Sequence, residues 1–221
     1  MKQILIFGDS VMRGVYYSEE AGRHKLYKDR FAKLKDSGYE VTNCSIMGAT
    51  VKTGEDIIKK RLTTRVSDTT VIFEYGGNDC DYRWNEISEA PKEEHLPNTP
   101  ISSYVPVYKK LIAYAREAGA KVCVCNLVPL DSEKYMNWIS RNLSYDNILS
   151  WLGDSSTLYR WQEYYSHTAE KIAAETECPI IDIRRPFLIS HNYGELLSDD
   201  GIHPSIKGHA LIDELITETI S

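Results

Sequence analysis

The stretch Ile4-Leu5-Ile6-Phe7-Gly8-Asp9-Ser10 decides how the rest of the chain is read. Consecutive apolar residues without alternation describe a strand covered on both faces, the mark of a parallel sheet. Gly8-Asp9 ends the run, and a turn there exposes the hydroxyl of Ser10. Working outward, comparable runs predict strands at about 3–7, 40–46, 70–75, 121–127 and 179–183. Helical patterns lie between them. Ile57, Ile58, Leu62 and Val66 mark one, with Thr53 as a plausible N-cap. Val107, Leu111, Tyr114, Ala115 and Ala118 mark another, opened by Ser102-Ser103 and closed by Gly119. Leu158, Trp161, Tyr165, Thr168 and Ile172 share one helix face, and a last helix runs from Ser205 to about Thr219.

Alternating strands and helices predict an α/β fold in which a doubly wound parallel sheet carries helices on both faces. Ligands bind such sheets beyond the carboxyl ends of the strands. Ser10, Gly48, Asn78 and the loop after Leu127 all follow strands, so all are expected on one edge. One domain spanning 1–221 is the expectation, with insertions at about 80–103 and 131–154. The first holds three prolines and is expected to lack long regular elements. The second is rich in large aromatics, among them Tyr135, Trp138, Tyr145 and Trp151. They either pack the insertion onto the domain or wall a substrate pocket.

The 221 residues are 42% hydrophobic, enough for a substantial core, and the net charge of −6 argues against nucleic-acid or anionic-membrane partners. The first apolar run is too short for a secretory signal, and no stretch approaches the ~20 apolar residues of a membrane span. A cytoplasmic location is the expectation. The five cysteines include no CxxC pair and make a poor disulfide or zinc framework, so no metal is expected. Cys123 and Cys125 alternate in an apolar strand and read as buried free thiols.

Chemistry concentrates in four places. Ser10 reads as a nucleophile or as a plain helix cap. Asp200-Gly201-Ile202-His203-Pro204 spaces an acid and a base so that the carboxylate can reach Nδ1 and leave Nε2 for a nucleophile. Asp199 is the alternative orienting acid. In Gly76-Gly77-Asn78-Asp79 the glycines let backbone approach a ligand, and the Asn78 amide can face a developing oxyanion. Gly48, within Asn43–Thr50, is placed to offer its backbone N–H.

In order and spacing these four blocks resemble the SGNH hydrolase superfamily, the GDSL-type esterases and lipases. Gly8-Asp9-Ser10 resembles the nucleophile motif, although Val11 stands where the family has leucine. The resemblance implies a flavodoxin-like sheet of order 2-1-3-4-5 and no cofactor. It also implies a Ser10–His203–Asp200 triad and an oxyanion hole made by the Ser10 and Gly48 N–H groups and the Asn78 side chain. The expected reaction is hydrolysis of a small carboxylic ester through an acyl-enzyme, with activity falling below about pH 6.5, where an ordinary histidine protonates. An acetyl group on a carbohydrate is the favoured substrate. Longer acyl chains, as in a lysophospholipase or thioesterase, and a catalytically silent carbohydrate-binding homologue are the alternatives. Asp9, Cys80, Tyr82, Trp84 and Trp138 are candidate substrate contacts. Nothing in the sequence speaks to oligomeric state.

Overall fold

A computed structural model describes residues 2–220. Five parallel strands form the central sheet: β1 (Gln3–Gly8), β4 (Glu40–Asn43), β5 (Thr69–Glu74), β6 (Lys121–Cys125) and β7 (Ile180–Ile181). Two more, β2 (Val15–Ser18) and β3 (Arg23–Leu26), pair antiparallel as a separate hairpin. The sheet order is β4-β1-β5-β6-β7, which is 2-1-3-4-5 when only the sheet strands are counted. Chain direction across the sheet reverses at β1, so the crevice at its carboxyl end is the expected ligand edge.

Alternation along the strands sorts the core into two layers. Phe7, Val71, Phe73, Val122 and Val124 face the layer built by helices Val51–Arg61, Ile101–Glu117 and Ser156–Glu175. Ile4, Ile6, Ile72, Cys123 and Cys125 face the layer of Ala32–Asp36 and Ile206–Ile220. Cys123 and Cys125 thus share one face, and all five cysteines are buried free thiols.

Several expectations shift in detail. Helix Val51–Arg61 starts earlier than anticipated because Thr50 is its N-cap, and Thr53 completes the capping box from the third helical position. Pro100 rather than Ser102 opens the next long helix, and the last begins at Ile206. β4 is regular to Asn43, and Cys44 and Ile46 extend its ladder by donating to the Ile6 and Gly8 carbonyls at 2.7 and 3.1 Å before the chain turns at Gly48. The segment after β5 holds a short helix, Trp84–Glu89, and the aromatic segment holds two, Ser132–Ile139 and Tyr145–Leu152. These pack together around Trp84, Ile87, Tyr135, Met136 and Ile148 as a third apolar cluster. The aromatics therefore do pack the insertion onto the domain, against the start of helix Ser156–Glu175. They wall a cavity as well.

Among the described residues no helix is long and apolar enough to cross a membrane.

Candidate active site

The site is built at the carboxyl end of β1. Gly8 leaves no room for a side chain, since a Cβ there would lie 2.8 Å from the Glu74 carbonyl and 2.9 Å from Met12 Cβ. Asp9 caps the one-turn helix Ser10–Arg13, accepting the Val11 N–H at 2.8 Å. Ser10 is the first residue of that turn. It is buried, and its Oγ faces His203.

His203 arrives from the loop before the last helix. Its Nε2 lies 2.9 Å from Ser10 Oγ, and its Nδ1 lies 2.6 Å from Asp200 Oδ2. The three-residue spacing has a clear local cause. Asp200 Oδ1 accepts the backbone N–H groups of Ile202 and His203 at 3.2 and 3.0 Å, which folds the loop back and leaves Oδ2 for the imidazole. The Ser198 N–H donates to the His203 carbonyl at 2.8 Å and closes the same loop. Burial alone would push the Asp200 carboxyl up. The imidazole and backbone hydrogen bonds of His203, and the bond from His24, outweigh burial and hold it at about 2. Asp199 takes no part. Its side chain is exposed and pairs with Lys134.

A second histidine, not anticipated from the sequence, completes this end. His24 Nε2 lies 3.0 Å from the same Asp200 Oδ2, and its ring packs edge-on to His203 at 4.9 Å between centroids. It is carried on β3, opposite Tyr17 of β2, whose N–H donates to Ser198 Oγ at 3.2 Å and ties the hairpin down. The signal for that hairpin was weak, a Tyr16-Tyr17 pair followed by a polar turn ending in Gly22. Among the described residues, His24, Asp200 and His203 form a cluster with metal-ligand chemistry. The nitrogens stand 2.6 and 3.0 Å from the shared oxygen, closer than the ~3.3 Å between ligands on a tetrahedron of ~2.0 Å bonds. That is hydrogen-bond spacing, and the residues do not fit a metal as they stand.

Asn78 follows β5 and lines the same cavity as Ser10 and Gly48. One of its amide hydrogens donates to Asp9 Oδ2 at 2.9 Å, which fixes the amide and leaves the second hydrogen free to donate. Asp9 is thus a brace behind Asn78. Beside it lies Glu74, whose carboxyl is pushed well up by burial and then by the neighbouring Asp9 charge. Gly48 sits at φ +77°, a conformation that favours glycine, with open space where a Cβ would stand. Its N–H has no acceptor among the described residues.

Asp79 is buried next to Asn78 and accepts the Val51 N–H with both oxygens at 3.1 Å. Burial pushes its carboxyl up to about 7. A carboxyl raised above its unfolded value of 3.8 contributes stability fully below that value and loses it as pH rises through about 7. Asp79→Asn removes that titration. Between pH 5 and pH 8 its stability relative to wild type is expected to improve by roughly 2–3 kcal/mol, read from urea unfolding at both values. A difference that does not change with pH contradicts this.

The remaining candidates also reach the cavity. Cys80, Tyr82, Trp84 and Trp138 all line it, together with the loop after Leu127. Cys80 is buried, its thiol donates to the Gly77 carbonyl at 3.1 Å, and burial pushes it well above its ordinary pKa. It is a packing thiol. The cavity holds about 650 Å³, and its far wall is the third apolar cluster.

Comparisons with known proteins agree with this geometry. Residues 6–211 match the GDSL-like Lipase/Acylhydrolase family. No curated protein matches the chain. Among solved structures, the lipase/acylhydrolase from Enterococcus faecalis is similar at 19% identity and a TM-score of 0.60, covering 100% of this chain and 95% of that one. Est24, a carbohydrate acetylesterase from Sinorhizobium meliloti, aligns at 17% identity and TM-score 0.66 over 100% and 98% of the two chains. The acetyl xylan esterase AlAXEase aligns at 18% identity and TM-score 0.62 over 99% and 100%. At these identities the structural likeness speaks for the fold alone, but the family match spans nearly the whole chain. With a serine, a histidine and a buried aspartate hydrogen-bonded in series at the sheet edge, the chain belongs to the GDSL-like lipase/acylhydrolase family, as a carboxylic ester hydrolase of SGNH type.

Proposed function

We propose that the chain hydrolyses carboxylic esters with Ser10 as nucleophile, His203 as general base and Asp200 as the orienting acid, through an acyl-enzyme. The observation that carries this reading is the unbroken series from Ser10 Oγ through His203 to Asp200 Oδ2 at 2.9 and 2.6 Å. His203 Nε2 takes the Ser10 proton as Oγ attacks the ester carbonyl. Asp200 holds the other imidazole proton on Nδ1 and stabilises the imidazolium. As the tetrahedral intermediate collapses, the C–O bond to the alcohol breaks and His203 passes its proton to that oxygen. Water then enters, gives a proton to Nε2 and attacks the acyl carbon, and the carboxylic acid leaves as Ser10 regains its proton.

The developing oxyanion falls to the Ser10 and Gly48 N–H groups and the free amide hydrogen of Asn78. Because Asp9 already fixes that amide, donation to the oxyanion needs little reorganisation. Asn78→Ala is expected to lower kcat by about 10²–10³ with a small change in KM, measured on p-nitrophenyl butyrate. A loss confined to KM would remove Asn78 from the oxyanion hole.

The reading as a whole is tested by trapping. A fluorophosphonate is expected to add one phosphonyl group to Ser10, located by peptide mass spectrometry, and to abolish turnover. Unchanged ester hydrolysis in a fully labelled protein would remove Ser10 from the mechanism. The intact hydrogen-bond series gives no support to a silent binding homologue.

A further inference from the structure

Resting on the ester-hydrolase reading above, we infer that the substrate carries an apolar chain or ring on one side of its ester, held in the aromatic cavity beside Ser10, and that the buried wall of the cavity around Trp84, Tyr135 and Trp161 is not a saccharide site.

The capacity of the cavity is the first observation. Its volume of about 650 Å³ lies in the range of pockets that enclose whole organic ligands, far more than an acetyl group fills. Its walls are the second. All four tryptophans of the chain, Trp84, Trp138, Trp151 and Trp161, line it. Leu143, Leu152 and Leu158 fill the wall between them.

The decisive observation is where the polar handles of those walls point. Aromatic residues serve sugars when their N–H and O–H groups, or neighbouring side chains, remain free to pair with hydroxyls. In the deep wall they are already engaged with the protein. Trp84 Nε1 and the Tyr135 hydroxyl both donate to Asp81 Oδ1, at 2.8 and 2.7 Å. Trp161 Nε1 donates to the Cys80 carbonyl at 2.8 Å. Gln162 donates to the Val128 carbonyl at 2.8 Å and accepts from Arg184 at 2.9 Å. The buried part of the wall therefore presents ring surface and methyl groups, while Trp138, Trp151 and Tyr82, which make no side-chain hydrogen bond among the described residues, line the rest with the polar Arg83 and Asn85. A saccharide hydroxyl placed against that buried wall loses its water and gains no partner, which is unfavourable, whereas a hydrocarbon loses only its contact with water.

Two tests follow, one independent of turnover. Because every tryptophan lines the cavity, intrinsic fluorescence reads its occupancy directly. Ser10→Ala titrated with octanoate and with 1-octanol is expected to give a saturable fluorescence change with at least one of them, and none with acetate or xylobiose. Saturation by xylobiose, or no saturation by either hydrocarbon, overturns the inference while leaving the triad untouched.

The kinetic test separates the two sides of the ester. With p-nitrophenyl acetate, butyrate, hexanoate and octanoate, kcat/KM of wild type is expected to rise about tenfold or more from acetate to hexanoate if the acyl side occupies the cavity. Each buried methylene supplies up to roughly fourfold. The same rise across ethyl, butyl and hexyl acetates assigns the cavity to the alcohol instead. A fall in both series overturns the inference. Ser10→Ala runs alongside, and rates equal to wild type in both series would instead overturn the ester-hydrolase reading. Leu143→Trp, which narrows the cavity, is expected to lower the hexanoate-to-acetate ratio, and the wild-type series decides the question should that variant not fold.

Discussion

Ser10→Ala is expected to lower kcat/KM on p-nitrophenyl butyrate by about 10⁴–10⁶ and to leave the protein folded. The size follows from what one atom does. Oγ forms the bond to the acyl carbon, and no other hydroxyl or thiol in the cavity is paired with His203. Cys80 lines the same space, but its buried thiol sits against the Gly77 carbonyl and is held in its protonated form. The structural cost is small by comparison. The substitution removes one hydrogen bond, worth about 1 kcal/mol, and keeps the Asp9 cap, which binds the Val11 N–H rather than the serine. A melting temperature within a few degrees of wild type, with turnover gone, is the expected pair of results. Loss of folding and activity together would make the serine a structural residue.

Asp200→Asn is expected to cost about 10⁴ in kcat while preserving the loop that carries it. Oδ1 can go on accepting the Ile202 and His203 N–H groups, so the backbone keeps its shape. The change falls on the other atom. Oδ2 accepts from His203 Nδ1, and an amide NH₂ in its place would drive the imidazole proton onto Nε2, the nitrogen that must receive the serine proton. The ionisation of Asp200 sharpens the test. Its carboxyl is held at about 2, below its unfolded value of 3.8. The stability it contributes is therefore present above the unfolded value and is lost only as pH falls towards 2. Any wild-type activity lost between pH 4 and pH 7 then belongs to another group. A variant with near wild-type kcat at pH 7 would show that the carboxylate does not set the tautomer.

How much of this was legible depended on the range of the signal. β1, β5 and β6 are dense apolar runs, and they were readable because a strand buried on both faces needs nothing else. The acid–base loop was readable for a related reason, since Asp200 folds its own loop through contacts two and three residues away. Asp199 and Asp200 were harder to separate. The choice turns on which carboxyl points at a residue 193 positions from Ser10, and adjacent side chains differ in direction rather than in type. The apolar run Cys44–Ile46 was also legible as strand, and its N–H groups go on donating to β1 carbonyls past Asn43 until the turn at Gly48.

His24 and the cavity were out of reach for a different reason. The β2–β3 hairpin is short and half-polar, and what places it is contact with Ser198 and with the last helix, where His209 Nε2 meets the Val15 carbonyl at 2.8 Å. Nothing near residue 24 in the chain announces a partner at residue 200. The aromatic insertion posed a similar limit. Its composition announced a role, but the direction of the Tyr135 hydroxyl depended on Asp81, which lies on another segment.

The sequence by itself determined the parallel sheet, the edge on which Ser10, Gly48, Asn78 and His203 meet, and the residue types of the chemistry. Those follow from burial pattern and from short-range spacing. Only the tertiary structure decided that Asp199 turns away to Lys134, that His24 shares the Asp200 carboxylate oxygen with His203, and that Trp84, Tyr135 and Trp161 turn their hydrogen-bonding groups into the protein. Each of these depends on the direction of a side chain relative to a distant segment, and direction is settled by packing, which no local pattern of residues records.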